Sequence, residues 1–278
     1  MSLQILLPLH TYPDGNSESL LSQATAVAGY IEGEIHAFVL AAEFPPLSSA
    51  LGNLVLDVPS LLADARERCR ETGAALLQSL TDQAKADGVR TRSSVIDCYP
   101  ATFGDRASVA GRYHDLILTG LSSNDNVLRR TAETVVFESG RPVMLLPEQH
   151  VIGEMDHVMI AWDDSRVAAR AVNDARIFLE RSTKVTVAVV TDEKVLTDQS
   201  LGAKLADYLA AHGLTVDHVK IKSGGRPVAG VLQEEAARVG AGILVMGGFG
   251  HSRVRDFVLG GVTRGILEDL RMPVLFAH

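Results

Sequence analysis

The sequence is short of several features that mark common protein classes. Only two cysteines, Cys69 and Cys98, occur in 278 residues. They form no CxxC pair, and neither stands near a histidine at metal-ligand spacing. That excludes a disulfide-stapled scaffold and a zinc module of ordinary spacing. Two buried thiols in a reducing compartment are the expectation. The nine histidines include no HxH or HExxH grouping, so zinc-hydrolase chemistry lacks its ligands. No apolar run approaches the roughly 20 residues that a membrane-spanning helix needs. Met1-Ser2-Leu3-Gln4 lacks the basic start and long apolar core of a signal peptide. A cytoplasmic protein with no membrane partner is therefore expected. Basic residues are in deficit: 26 Lys and Arg stand against 34 Asp and Glu, a net charge of −8. No nucleic-acid partner is expected from that balance. Ser122, Ser123 and Ser252 have no nucleophile elbow around them.

What is present is a core. Apolar residues make up 46% of the chain and charged residues 22%, far from the composition of a disordered segment. The length suggests about two domains. Short apolar runs at 3–9, 35–40, 91–96, 115–119 and 142–146 alternate with segments of helical spacing at 17–31, 61–86 and 101–113. Buried parallel strands read as continuous apolar stretches, and helices must carry the chain back between them. The rhythm is βαβ and the class is α/β.

The same order then recurs. Strands are expected at 157–162, 184–190, 215–221, 242–246 and 273–276, with helices at 165–181, 198–212, 228–239 and 262–270. Pairing Ile5 with Val158, Leu116 with Ile243 and Pro142 with Pro273 gives offsets of 153, 127 and 131 residues. The first copy thus carries extra chain in its middle, expected to include a loop or short helix at 44–59, and is slightly shorter before its last strand. Arg141-Pro142-Val143-Met144-Leu145 and Arg271-Met272-Pro273-Val274-Leu275 read as the same final strand twice. The expected domains are 1–147 and 156–278, joined by a polar linker. One large sheet is the alternative to a duplication.

The most informative stretch is Ile243-Leu244-Val245-Met246-Gly247-Gly248-Phe249-Gly250, followed after nine residues by Gly260-Gly261-Val262-Thr263. A buried strand ends at Met246 and enters a glycine-rich turn; a second glycine pair precedes a helical segment. Glycine lets backbone N–H groups approach a phosphate with no Cβ between. The first amides of a helix are unpaired and lie at the positive end of its dipole, so they suit an anion. No Gly-Lys-Ser or Gly-Lys-Thr follows, so this is not a Walker loop, and it is not a GxGxxG after a first strand. A strand-to-helix turn without a ligand is the plain alternative.

Gly247-x2-Gly250-x9-Gly260 followed by Gly261-Val262-Thr263 resembles the ATP-binding signature of the universal stress protein family. In that family a strand near the start of the module ends in Asp, and Val158-Met159-Ile160-Ala161-Trp162-Asp163 has this form. The resemblance implies two tandem open parallel five-stranded sheets flanked by helices, the adenine nucleotide α-hydrolase-like sandwich. It places Asp163 on the adenosine with Trp162 beside it, and Val190 in the adenine pocket. Met246 and Gly247 would pass under ribose and phosphates. Gly250, Gly260, Gly261, Val262 and Thr263 would face the phosphates. It implies ATP as ligand, possibly with Mg²⁺, a regulatory role in stress, and pairing of modules through their final strands, within the chain or in a homodimer. The sequence departs from the family at Gly261, where Ser or Thr is usual. One hydroxyl contact is lost there, worth about 1–2 kcal/mol, on the order of tenfold in affinity.

In the first copy His10 stands at the Asp163 position. The loop reads Gly120-Leu121-Ser122-Ser123, with Arg129 and Arg130 aligned on Gly260 and Gly261. That copy reads as a degenerate partner, or as one that binds another anion through those arginines. Ser165 and Asp164 suit a helix start; Pro227 suits the first turn of another. A slow ATP hydrolase and a nucleotide-free interaction module are the competing functions.

Overall fold

The computed structural model describes residues 2–45, 57–149, 153–193, 198, 200–248 and 261–277. In the first half the elements are β1 (Leu3–His10), α1 (Glu18–Tyr30), β2 (Gly33–Ala42), α2 (Val58–Ala86), β3 (Arg90–Cys98), α3 (Phe103–Gly111), β4 (Leu116–Leu121), α4 (Asn126–Glu138) and β5 (Val143–Pro147). The second half holds β6 (His157–Ala161), α5 (Arg166–Asp174), α6 (Arg176–Leu179), β7 (Lys184–Val190), α7 (Leu201–Ala211), β8 (Val216–Ile221), α8 (Val228–Val239), β9 (Ile243–Gly247), α9 (Gly261–Glu268) and β10 (Val274–Ala277). Every expected strand is present. The segment 165–181, expected as one helix, is broken at Ala175 into α5 and α6; nothing in the sequence marks the break.

Strand order across the sheet is β3-β2-β1-β4-β5-β10-β9-β6-β7-β8. Within each half all neighbours run parallel. The halves meet where β5 and β10 pair antiparallel, Val274 opposite Leu145 and Phe276 opposite Val143. Two parallel five-stranded halves are thus joined in a single ten-stranded sheet. Pairing these two strands covers edges that would otherwise expose unpaired amides.

Side chains of the seam alternate between two cores, as the two-residue period of a strand requires. Met144, Leu146, Leu275 and Ala277 join the core beneath α1, α2, α5 and α7. Val143, Leu145, Val274 and Phe276 join the one beneath α3, α4, α8 and α9. The inner strands β1, β4, β5 and β10 are buried almost throughout. The outermost strands β3 and β8 alternate with exposed positions and carry Arg90, Arg92 and Asp97, or Asp217 and Lys220, charges that discourage a further strand.

The surplus length of the first half lies partly in α2, 29 residues against 11 in α7. Residues 46–56 of the expected 44–59 loop fall outside the described set. Cys69 and Cys98 are both buried and free. Among the described residues no helix is long and apolar enough to cross a membrane.

Candidate functional site

In an open parallel sheet the crevice for a ligand lies beyond the carboxyl ends of the strands. In the second half those ends belong to β6, β7 and β9. Backbone pairing sets them at one level: Val158 opposite Ile243, Ile160 opposite Val245, and Ala161 opposite Ala188. Trp162 continues the ladder, its N–H donating to Ala188 O at 2.9 Å. Trp162, Val190 and Gly247 are partly buried at this level, Met246 is buried, and Asp163 is exposed.

The turn after β6 is built by its own polar groups. Asp163 Oδ1 accepts the Ser165 N–H at 3.1 Å. Ser165 caps α5, its Oγ accepting the Ala168 N–H at 3.2 Å. Asp164 between them takes a positive φ of 62°, a conformation costly for a residue with a Cβ. The capping expected of Ser165 is observed. Gly247 meets this first turn of α5 directly, since a Cβ on it would lie 2.6 Å from Ala168 N and 2.6 Å from Val167 C. Backbone cannot yield to such contact, so a glycine is required there for packing alone. The next residue, Gly248, donates its N–H to Ala277 O at 2.8 Å.

Gly261 opens α9 and is exposed, with nothing within 4 Å of where a Cβ would stand. Val262 is partly buried and Thr263 is buried. Gly250, Gly260 and the residues between them lie outside the described set. The structure therefore brings Trp162, Asp163, Val190, Met246 and Gly247 to one sheet end and places Gly261, Val262 and Thr263 on the helix that follows β9.

Asp192, just past β7, escaped the sequence reading. Its carboxylate accepts the Ser223 N–H at 2.8 Å and the Gly224 N–H at 2.9 Å, which hold it below the usual carboxylate range. Gly224 and Gly225 both have positive φ there. The two partners lie 31 and 32 residues away, so no local spacing signals the contact. Arg226, beside these glycines, pairs with Glu234 at 2.6 Å. His157 is buried and bonded to Thr186 Oγ1 at 2.9 Å; its pKa is lowered, chiefly by burial.

The first half closes the corresponding places with its own side chains. Asp125 caps α4, its Oδ1 accepting Val127 N–H at 2.7 Å and Leu128 N–H at 3.0 Å. Helix α4 begins at Asn126, so Arg129 and Arg130 stand inside it and not at its start. Arg129 bonds Asn126 Oδ1 at 2.6 Å. Glu148 reaches back beneath α1, accepting Ser17 N–H at 2.7 Å and Asn16 Nδ2 at 2.5 Å, and its Oε1 occupies the place where a Cβ on Gly120 would fall. His10 is fully buried against Phe103, and neither ring nitrogen is bonded among the described residues; burial lowers its pKa to about 3. Among the described residues no three His, Cys, Asp or Glu side chains group as a metal site.

Two parallel five-stranded halves flanked by helices and joined in one sheet define a tandem α/β protein. Residues 154–278 match the model of the universal stress protein family, and this half of the chain belongs to that family. The whole chain is similar in fold to a universal stress protein from Archaeoglobus fulgidus DSM 4304, with 19% identity, a TM-score of 0.71, and 99% of this chain and 97% of that one covered. It is also similar to a functionally unknown protein from Pseudomonas aeruginosa PAO1, with 14% identity, a TM-score of 0.57, and 99% and 92% covered. The cytoplasmic domain of a prokaryotic cation chloride cotransporter shares the fold too, with 10% identity, a TM-score of 0.52, and 99% and 95% covered. Identities this low establish the fold alone. No curated protein matches the sequence.

Proposed function

We propose that the second half binds ATP in the crevice over β6, β7 and β9, that the first half binds none, and that the liganded chain acts as a regulator in a stress response. One contrast carries the proposal. Helix α4 begins behind a carboxylate, Asp125, which takes its free amides; α9 begins at Gly261 behind another glycine, Gly260, which has no side chain to cap with. Amides left open at a helix start favour an anion, and a polyphosphate suits a loop of this length and glycine content. Asp163, exposed two residues before the α5 cap, carries a carboxylate, a group that accepts hydrogen bonds of the kind a ribose hydroxyl or an exocyclic amine donates. Trp162 and Val190 supply apolar surface for a base. Magnesium would be carried in by the phosphates and would neutralise part of their charge.

Isothermal titration of ATP with and without Mg²⁺, on the wild-type chain and on Gly260→Arg, tests the proposal. Binding by the wild type, weakened at least tenfold in the variant, is expected. Equal affinity in both, or heat in neither, defeats it.

A further inference from the structure

A cavity of about 410 Å³ opens between α5–α6 and α7, running along the helix layer away from the strand ends. Its walls are mostly apolar, including Trp162, Val172, Leu179, Leu201, Leu205 and Leu209. Helix α7 has 11 residues, so a groove along its whole length spans about 16 Å at 1.5 Å per residue. In the first half the corresponding helices are tied together. There Glu18 on α1 accepts Ser79 Oγ at 2.5 Å and Gln83 Nε2 at 2.8 Å from α2, and Leu76 and Leu80 are buried in the closed space. Among the described residues, no hydrogen bond joins α5 to α7.

We propose that this cavity binds an uncharged, elongated apolar small molecule. Its volume lies within the usual range for small-molecule pockets, and an apolar lining holds water poorly. Charge decides the head group. The rim cations are already paired, Arg176 with Glu180 at 3.1 Å and Lys204 with Asp198 at 2.5 Å. The rim also carries the exposed carboxylate of Asp164. An anionic ligand would meet no spare cation from these two and would face added repulsion, whereas a neutral one loses nothing. The inference is independent of the nucleotide proposal, although Trp162 borders both places.

Trp162 is the only tryptophan in the chain and lines the cavity, so with no nucleotide present its emission reports on occupancy there. Titration with N-phenyl-1-naphthylamine, an uncharged apolar dye, is expected to saturate at one dye per chain, with a change in Trp162 emission over the same concentrations. Its sulfonated relative 8-anilino-1-naphthalenesulfonate should bind at least tenfold more weakly. Ala169→Arg and Asn173→Arg place a bulky cation into the cavity from exposed positions on α5. Each should weaken the neutral dye at least tenfold while the far-ultraviolet dichroism and ATP titration stay as in the wild type. Gly260→Arg should keep the dye. Absence of saturable dye binding, a silent Trp162, equal affinity for both dyes, or undiminished binding in the folded α5 variants overturns the proposal.

Discussion

Gly247 carries two demands that the sequence shows as one letter. It borders the proposed ligand crevice, and it lets β9 touch the first turn of α5. The second demand can be measured without any ligand. A methyl group in Gly247→Ala would sit 2.6 Å from main-chain atoms of Val167 and Ala168, and overpacking of this kind costs about 1–3 kcal/mol. The melting temperature of the unliganded variant should fall by several degrees; an unchanged value would mean that β9 can retreat freely. His10 makes the opposite case, a polar group where an apolar one would do better. Its imidazole is buried with both nitrogens unbonded among the described residues, and its pKa in the folded chain is about 3 against an ordinary value near 6.5. A depressed histidine pKa means that the unfolded chain binds the proton first. The stability that goes with neutral His10 is therefore complete above about pH 6.5 and falls at about 1.4 kcal/mol per pH unit as the pH drops toward the folded value. His36, lowered to about 4 by burial with Arg92 and His114 nearby, adds to the same slope. His10→Leu should raise the urea midpoint at pH 7 and flatten its decline between pH 6.5 and 4.5. A slope equal to that of the wild type would contradict this.

In the proposed function, single helix starts decide which half takes an anion. Ser165 before α5 was legible, because Ser at the head of an apolar-periodic segment has a known use. Asp125 before α4 was not, because distance from the last strand aligns Arg129 and Arg130 with Gly260 and Gly261, whereas α4 already begins at Asn126. Strand positions were legible throughout, since each buried strand is a continuous apolar run. The break at Ala175 and the contact of Asp192 with Ser223 were hidden, the first because helical periodicity runs through it, the second because its partners are far apart in sequence. Both caps can be tested alike. Ser165→Ala and Asp125→Ala should each lower the free energy of unfolding by about 1 kcal/mol, read from denaturant midpoints at constant slope. A loss at only one position would show that the other helix start has a substitute acceptor.

At the scale of the molecule the two halves share one sheet and two continuous cores. The seam strands β5 and β10 feed both cores in alternation, and Tyr30 of α1 stacks on Phe178 of α6 at 6.4 Å across the halves. The halves should therefore unfold together. Leu275 is fully buried at the seam, and Leu275→Ala should cost about 2–5 kcal/mol. Amide hydrogen exchange should show β1 and β6 losing protection in parallel. Loss confined to β6 would mean that the halves are energetically separate despite their shared sheet.

One sheet with two chemically unequal ends is the central claim: self-capped in the first half, open to a polyphosphate in the second. Equilibrium dialysis of labelled ATP against the purified chain counts the sites directly. The account requires one ATP per chain, held at least tenfold more weakly in Gly260→Arg and with undiminished affinity in Asp125→Ala. Two per chain, or one held as tightly in Gly260→Arg as in the wild type, would contradict it.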